Sequence, residues 1–263
     1  MNTYVISDIH GCFDEFQRLL DKINFSGSDR LILAGDYIDR GSKSLEMLRW
    51  LERRPENVLA VRGNHDEEFA GCIGLMRQTD RGEDLQTEPD SNADAAALYE
   101  TTKYVLRRRS PVEARYFDLY GTIGKLLGEP EVNLSVLSGW ADMIRQMPFF
   151  LRFPVGSRTC VVVHAGYREK GFTNEREASE FYLYAREEGV DSGGIPHGII
   201  VAGHTPTVVK GSFAYTGGTV FRSYDPERDC VFYDIDCGCV LRRKYPQARL
   251  ACLRLEDQTV NYV

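Results

Sequence analysis

Five short motifs in the sequence place acidic, imidazole and amide side chains next to glycines. These motifs are Asp8-Ile-His10-Gly11, Gly35-Asp36-Tyr-Ile-Asp39-Arg40-Gly41, Gly63-Asn64-His65-Asp66, His164-Ala-Gly166 and Gly203-His204-Thr205. Each follows a predicted strand, and in α/β sheets the loops at the carboxyl ends of strands converge on ligands. Carboxylate, imidazole and amide ligands without thiolate suit Mn²⁺, Fe²⁺ or Zn²⁺ better than a structural zinc site. The motifs therefore predict a metal site made by several loops.

The charges of such a site favour a phosphate ligand. Two divalent ions carry four positive charges, Asp8 and Asp36 remove two, and a bridging hydroxide removes a third. A phosphate dianion would offset the charge that remains. Two ions about 3.5–4 Å apart can generate the hydroxide at neutral pH and clamp the attacking and leaving oxygens of an in-line displacement. The motifs thus predict phosphoester hydrolysis without a covalent enzyme intermediate.

Other motif residues are candidates for binding phosphate and for transferring a proton. Arg40 and Arg186 can each grip two phosphate oxygens. His65 is adjacent to Asn64, and adjacent residues that leave a strand diverge, so His65 can reach the leaving group instead of the metal. A carboxylate partner raises the pKa of a histidine. Asp39 paired with His65 would therefore form a proton-donating dyad.

Composition narrows the class of protein. The chain has 263 residues, 43% of them hydrophobic, which is enough for one domain with a buried core. A net charge of −7 argues against nucleic-acid binding through a large basic face. No apolar run approaches the roughly 20 residues that span a bilayer, so we expect no membrane association. The seven cysteines show no repeated spacing, which favours reduced thiols in the cytoplasm.

Hydrophobic patterns predict the elements that carry the motifs. Short runs rich in aliphatic and β-branched residues predict strands at 3–7, 30–34, 58–61, 159–163, 198–202 and 231–235. Between the third and fourth of these strands the pattern is helical, with candidate helices at 67–77, 93–109 and 134–146. A polar loop is predicted at 78–92. The β core is therefore expected to be split by an inserted helical cap.

These five motifs, in this order, resemble those of the metal-dependent phosphoprotein phosphatases, the Ser/Thr protein phosphatase family of the calcineurin-like metallophosphoesterases. The likeness covers nearly the whole chain and is greatest to compact bacterial and phage members. It implies one metallophosphoesterase domain over residues 1–263, with a helical cap inserted at about 67–153. The implied fold is α/β, a β-sandwich flanked by helices (α/β/β/α) with the metals at the loop ends.

The resemblance also implies roles for the motif residues. It implies two divalent metal ions, with Mn²⁺ favoured over Fe or Zn. The first ion would be bound by Asp8, His10 and Asp36, and the second by Asp36, Asn64, His164 and His204. Phosphate would be bound by Arg40, Asn64 and Arg186. A metal-bridging hydroxide would attack phosphorus in line, with His65 as the general acid and Asp39 as its partner.

Departures from the family pattern leave the substrate open. Ser7 stands where protein phosphatases usually carry Gly. Asp66 stands where they usually carry Glu, whereas Asp at this position is seen in the related diadenosine tetraphosphate hydrolases. Those hydrolases, in turn, usually lack the acid found here as Asp39. The two positions point to different substrates.

Three hypotheses follow for the activity. The main one is a protein phosphatase acting on phosphoserine, phosphothreonine or phosphotyrosine. The alternative within the same chemistry is hydrolysis of diadenosine tetraphosphate and other dinucleotide polyphosphates, or of small phosphoesters broadly. The alternative outside catalysis is an inactive scaffold that keeps the fold to bind a partner, and it predicts eroded metal ligands. The expected partner is accordingly a phosphorylated protein or a small phosphorylated molecule, and the oligomeric state is left open.

Overall fold

The chain divides into two compact units. The computed structural model describes residues 1–80, 94–191 and 195–263. One unit comprises Met1–His65 together with Met147–Val263, and the other comprises Asp66–Gln146. All the candidate metal-binding, phosphate-binding and proton-donating residues belong to the first unit. The two sheets of that unit therefore position the site.

The first sheet places three of the motifs at one edge. Strands β1 (Thr3–Ile6), β2 (Arg30–Leu33) and β3 (Val58–Ala60) are parallel neighbours. The sheet also contains two strands from the end of the chain, which follow the strands of the second sheet in sequence. Ala251–Arg254 pairs antiparallel with β1, and Val260–Tyr262 pairs antiparallel with Ala251–Arg254. Because β1, β2 and β3 run the same way, their carboxyl ends lie together, and so do the loops that follow them.

The second sheet does the same for the remaining motifs. It contains β4 (Phe150–Val155), β5 (Arg158–Val163), β6 (Gly198–Ala202), β7 (Phe221–Asp225) and β8 (Cys230–Asp234). Its strand order is β4-β5-β6-β8-β7. β5, β6 and β8 are parallel, and β4 and β7 pair antiparallel at the two edges. With Ala251–Arg254 as β9 and Val260–Tyr262 as β10, the first sheet has the order β10-β9-β1-β2-β3.

The main core lies between the two sheets. Val5 and Ile32 of the first sheet share one buried cluster with Val162 and Val201 of the second. Successive residues of a strand point to opposite faces, so Val161 belongs to a different buried cluster on the outer face of the second sheet. Both faces of that sheet are covered, which accounts for its continuous apolar runs. The predicted α/β fold, with two mixed sheets flanked by helices, is confirmed.

Two short helices follow the first two strands. α1 (Phe13–Lys22) and α2 (Ser44–Glu52) bury apolar stripes, and the ring of Phe16 on α1 packs edge-on against Trp50 on α2 at 4.7 Å between centroids. In each case the strand, the motif and the helix are consecutive. The motif loop is therefore held at both ends by packed structure.

The second unit is made of helices. They are α3 (Asn64–Asp80), which begins in the first unit, α4 (Ala95–Arg109), α5 (Pro111–Tyr116), α6 (Thr122–Leu126) and α7 (Leu134–Gln146). The two terminal guanidinium nitrogens of Arg77 donate to the two carboxylate oxygens of Asp142, at 2.9 and 2.7 Å, and so link α3 to α7. At the start of α4 the Asp94 carboxylate accepts a hydrogen bond from the backbone N–H of Ala96 at 3.0 Å.

The three predicted helices of this segment are present, and α5 and α6 were not predicted. Of the predicted loop at 78–92, residues 78–80 are helical and the remainder from 81 lies outside the described residues. The cap was predicted to reach about 153, but Phe150 already pairs with Val163 in β4 and β5. That boundary is too late, because β4 continues the second sheet. A single domain with an inserted cap stays a prediction.

After β5 the chain forms α8 (Glu175–Tyr184), α9 (Glu187–Asp191) and, later, a 3₁₀ helix at Cys239–Leu241.

All seven cysteines are free thiols. Among the described helices, none combines the length and the apolar character needed to cross a membrane.

Candidate metal and phosphate site

Each predicted metal ligand lies just beyond the carboxyl end of a parallel strand. The strands β1, β2, β3, β5 and β6 are followed respectively by Asp8 with His10, by Asp36, by Asn64, by His164 and by His204. All of these side chains are buried except that of His204, which is half-buried. Both sheets thus deliver polar groups to one place, as the converging ends of parallel strands allow.

The backbone of these loops is strained. Among the described residues, eleven residues other than glycine have a positive φ, and six of them are Asp8, His10, Asp36, Asp39, Arg40 and His204. This conformation costs about 1–3 kcal/mol per residue and persists only where the surroundings over-determine it. Such strain concentrates at functional sites, so its location supports a functional role for these loops.

Main-chain hydrogen bonds fix the loops relative to one another. The N–H of Asp8 donates to Gly35 O at 3.1 Å, and that of His10 donates to Asp36 O at 2.9 Å. The N–H of His204 donates to Oδ2 of Asp8 at 3.0 Å, which joins a loop of the second sheet to a loop of the first. A Cβ atom on Gly203 would lie 2.0 Å from that same Asp8 oxygen, so the close approach requires glycine.

The first ligand cluster consists of His10, Asp36 and His65, whose ligand atoms lie within 4.8 Å of one another. Nε2 of His10 is 3.4 Å from Oδ2 of Asp36, and Nε2 of His65 is 3.9 Å from the same oxygen. Nδ1 of His10 donates to Ile38 O at 2.8 Å, so Nε2 carries the lone pair that faces the cluster. Sequence reasoning expected Asp8, His10 and Asp36 here. Asp8 is not a member of the cluster, whereas His65, which was given a role in proton transfer only, is.

The second ligand cluster consists of Asp36, His164 and His204, again within 4.8 Å. Nε2 of His164 lies 3.4 Å from Oδ1 of Asp36 and 2.9 Å from Oδ1 of Asn64. Nδ1 of His204 lies 3.0 Å from the same Asn64 oxygen. Asp36 belongs to both clusters, which is the position that a ligand shared by two ions requires.

The donor atoms of the second cluster fit a divalent cation. Nδ1 of His164 donates to Ala34 O at 3.0 Å, so in the neutral ring the Nε2 atom that faces Asn64 carries a lone pair. A lone-pair nitrogen, an amide oxygen and a carboxylate oxygen that converge repel one another unless a cation lies between them. Nitrogen and oxygen donors without thiolate suit Mn²⁺, Fe²⁺ or Zn²⁺. The residues present therefore fit such an ion.

Asp8 lies outside both clusters but shares their electrostatics. Burial, followed by the charges of Asp236 and Asp36, raises the pKa of Asp8 well above its usual range. Burial raises the pKa of Asp236 to about 7. Burial, followed by the charge of His164, lowers the pKa of His204 to about 2, so its ring is neutral. Buried carboxylates beside neutral imidazoles are stabilised in their charged form by added positive charge, which a divalent cation supplies.

Asp39 and His65 form a buried pair. Nδ1 of His65 lies 2.7 Å from Oδ2 of Asp39. Burial by itself would lower the pKa of His65, but the hydrogen bond to Asp39 and the charge of Asp36 raise it above its usual value. The guanidinium of Arg40 donates to Nε2 of His65 at 2.8 Å and to Nε2 of His10 at 3.2 Å. Arg40 is an exposed residue, so its donors sit at the mouth of the first cluster.

Arg186 lies in the two-residue break between α8 and α9. Its Nη1 atom donates to Oγ1 of Thr205 at 3.3 Å, and Thr205 directly follows the candidate ligand His204. Like Arg40, Arg186 is exposed. The structure thus brings both predicted arginines to the ligand clusters, one from a loop of each sheet.

Sequence reasoning gave Asp236 and Thr205 no role. Asp236 follows β8 as the other acids follow their strands, and it is buried. Its Oδ1 atom accepts a hydrogen bond from the N–H of Gly238 at 2.8 Å. An acid directly after a buried strand was the available signal for Asp236. The contact of Thr205 with Arg186 depends on how two distant loops meet, which no local pattern encodes.

Curated relatives match parts of this chain. A symmetrical bis(5'-nucleosyl)-tetraphosphatase from Vibrio campbellii is 54% identical over 83 residues, and one from Haemophilus ducreyi is 44% identical over 94 residues. The matches cover 31% and 34% of this chain and 31% and 35% of the relatives. This chain thus spans about a third of the length of the curated relatives it matches. These relatives are tetraphosphatases rather than protein phosphatases of the phage type.

Two solved structures share the fold. A candidate diadenosine tetraphosphatase superimposes with a TM-score of 0.53 at 19% identity, covering 100% of this chain and 92% of that one. A protein serine/threonine phosphatase from Saccharomyces cerevisiae superimposes with a TM-score of 0.50 at 12% identity, covering 100% of this chain and 79% of that one. At these identities the likeness concerns the fold alone.

Among the similarities in sequence, the match to a family model covers a larger part of the chain than the matches to the curated relatives do. The calcineurin-like phosphoesterase model matches residues 1–219, a span that contains all five motifs. The fold, the strand-end ligands and this match agree with one another. The chain therefore belongs to the calcineurin-like phosphoesterase family of metal-dependent hydrolases.

Proposed function

We propose that this protein is a metal-dependent phosphoesterase that cleaves dinucleoside tetraphosphates symmetrically. The observation that carries the proposed phosphoesterase activity is the convergence of two ligand clusters on the shared Asp36, beside the exposed Arg40. Addition of water across the central phosphoanhydride bond would give two nucleoside diphosphates.

Two divalent ions, with Mn²⁺ favoured and Fe or Zn as alternatives, would be held at the two clusters. One ion would be bound by Asp8, His10 and Asp36, and the other by Asp36, Asn64, His164 and His204. Such ions would acidify water and offset the negative charge of the phosphate. The lone pairs that face each other at Asn64 and His164 support this assignment.

Arg40, Arg186 and Asn64 would bind the substrate phosphate. In the free protein the donors of Arg40 are used on two imidazole nitrogens, which are neutral acceptors. Phosphate oxygens are charged and match the guanidinium fork, so the substrate would draw Arg40 away from His65. Nε2 of His65 is then released. Because Asp39 raises its pKa, His65 can deliver a proton to the departing oxygen.

The choice of substrate rests on the relatives. The matching curated relatives are symmetrical bis(5'-nucleosyl)-tetraphosphatases, and the resemblance at Asp66 favours the same class of substrate. This reverses the order expected from the sequence, which placed a protein phosphatase first. An inactive scaffold is disfavoured, since the candidate ligand positions hold side chains able to bind metal, and His10, Asp36, His164 and His204 lie in the two clusters.

A protein phosphatase is the second candidate, and the Asp39–His65 pair favours it. A serine or threonine alkoxide is a poor leaving group that needs a proton donor. A nucleoside diphosphate leaves far more readily without one. The buried 2.7 Å contact between Nδ1 of His65 and Asp39 would therefore be of greater use on phosphoserine than on a dinucleotide.

A substrate panel with metal analysis separates the candidates. The protein would be loaded with Mn²⁺, Fe²⁺ or Zn²⁺ and assayed with diadenosine tetraphosphate and with a phosphoserine peptide at matched concentrations. We expect the dinucleotide to be preferred and ADP to be the sole nucleotide product. Release of AMP and ATP would contradict symmetrical cleavage, and preference for the peptide would support the protein phosphatase. A protein that binds no metal and cleaves neither substrate would be a scaffold.

A further inference from the structure

An exposed aromatic ring lies beside the second ligand cluster. Tyr184 is the last residue of α8 and is 42% exposed. The centroid of its ring lies 6.3 Å from that of His204, and the planes of the two rings are nearly perpendicular, at 88°. The edge contact leaves much of the ring accessible to a ligand.

The neighbours of Tyr184 fix its position. Ala185, the next residue, is buried and extended, with its Cβ atom against Gly166. A Cβ atom added to Gly166 would lie 2.7 Å from that of Ala185, so the chain is packed tightly at this point. Arg186 follows, held by its hydrogen bond to Thr205 at 3.3 Å. The aromatic ring of Tyr184 and the candidate phosphate-binding side chain of Arg186 therefore lie on either side of the buried Ala185.

Tyr182 lies at the same end of α8 but is less exposed than Tyr184. The ring of Tyr182, two residues earlier, packs against Phe150 and Tyr167 in the outer core of the second sheet. Tyr184 is not a member of either of the two buried clusters described above. Its exposed ring lies on the side of α8 that reaches His204.

We infer that Tyr184 is a specificity-determining residue whose ring stacks on a purine base of the substrate, while Arg186 and the metal ligands hold the phosphates. This inference rests on the proposed function. Bases stack well on accessible aromatic rings, and the interaction tolerates different bases because each has a π-face. A phosphoserine side chain offers no such planar group.

The test uses the metal-loaded full chain and compares diadenosine tetraphosphate with inorganic tripolyphosphate, which has no base. Stacking of one base predicts that Tyr184→Ala lowers kcat/KM for the dinucleotide, relative to that for tripolyphosphate, by roughly 5- to 150-fold. The loss should fall on KM more than on kcat. Tyr184→Phe should keep the wild-type ratio of the two kcat/KM values. Tyr184→Leu, whose side chain is apolar but not planar, should not keep it.

Tyr224→Ala is the matched control. Tyr224 is 47% exposed and lies on β7 opposite Val231, near the start of β8 and away from the strand end that carries Asp236. We expect this variant to keep the wild-type ratio. If Tyr184→Ala lowers turnover of both substrates equally, Tyr184 only supports His204 and the inference is wrong. An unchanged ratio would also overturn it.

Binding of ADP decides the matter even if the substrate has been misjudged. Calorimetry would compare ADP with pyrophosphate, for the wild type and Tyr184→Ala. Failure of the wild type to cleave the dinucleotide would refute the proposed function, yet selective loss of ADP affinity in the variant would still support the role of Tyr184. Cleavage of the dinucleotide with no selective loss would refute the role of Tyr184 alone.

Discussion

The two ligand clusters share Asp36 but differ in what surrounds them. The first cluster is built from loops of the first sheet, and it carries the groups that can act on a substrate, Arg40 and the Asp39–His65 pair. The second is assembled from both sheets and joins the imidazoles of His164 and His204 to the amide of Asn64. We infer that substitutions around the first cluster change chemistry, whereas those around the second change assembly and metal retention.

Loss of the shared carboxylate should have the largest effect. Asp36→Asn removes a charged ligand from both clusters, so we expect both ions to be lost and kcat/KM to fall by at least about 10³-fold. Metal analysis after gel filtration and steady-state assays would measure this. Asp29→Asn is a matched control, since Asp29 is also buried but bonds Asn2 and Ser26 instead. Full metal content in Asp36→Asn would show that Asp36 is not shared.

Removal of the proposed proton donor should come next. His65→Asn is expected to lower kcat on a phosphoserine peptide by about 10²- to 10⁴-fold and to affect diadenosine tetraphosphate much less, because a diphosphate leaves more readily. Metal content should stay unchanged. His197→Asn, at an exposed histidine outside both clusters, is the control.

The same His65 variant tests the boundary between the clusters and the dyad. Nε2 of His65 lies 3.9 Å from Asp36, close enough for the first cluster to include it. If His65→Asn loses one ion, His65 is a ligand rather than a donor. Equal losses of rate on both substrates, with metal retained, would contradict a role that depends on the leaving group.

A change at the junction of the two sheets should have a smaller effect, centred on the second cluster. In Gly203→Ala the added Cβ atom would lie 2.0 Å from Oδ2 of Asp8 and 2.3 Å from Oγ of Ser7. We expect destabilisation by about 1–3 kcal/mol in urea denaturation, together with weaker metal binding. Gly139→Ala in α7, where an added Cβ atom meets nothing within 4 Å, should be neutral or stabilising. A Gly203→Ala protein of wild-type stability would show that the junction is not tight.

The positions of the candidate ligands could be predicted from the sequence because each follows an apolar run, and the order of strands in a parallel sheet brings their ends together. Asp36 and His164 could therefore be predicted as neighbours without any knowledge of their contacts. The exposure of Tyr184 and the contact of Thr205 with Arg186 could not be, since both depend on where α8 ends relative to β6. The helices α5 and α6 were also missed. They are short, with six and five residues, and leave too few turns for a periodic pattern.

The smallest expected change in rate concerns the pH dependence of turnover. It tests whether proton transfer depends on the first cluster and not on the second. Burial acts to lower the pKa of His65, but the hydrogen bond that His65 donates to the Asp39 carboxylate helps to raise it above its usual value, so the proton donor stays protonated to higher pH than an unpaired histidine would. Asp39→Asn should therefore move the alkaline limb of the kcat profile to lower pH. At a pH above the alkaline limbs of both proteins, the rate of Asp39→Asn should be lower than that of the wild type by about tenfold for each pH unit by which the limb has moved.

Asp229→Asn, which breaks a similar Asp–His pair with the exposed His197 at 3.1 Å, should leave that profile in place. The second cluster supplies the internal comparison. His204 has a pKa of about 2 and stays neutral across the accessible range, so titration of His204 cannot produce an alkaline limb. If the alkaline limb of the kcat profile does not move in Asp39→Asn, it must arise from a group other than His65. The proposal that the first cluster transfers the proton would then be wrong.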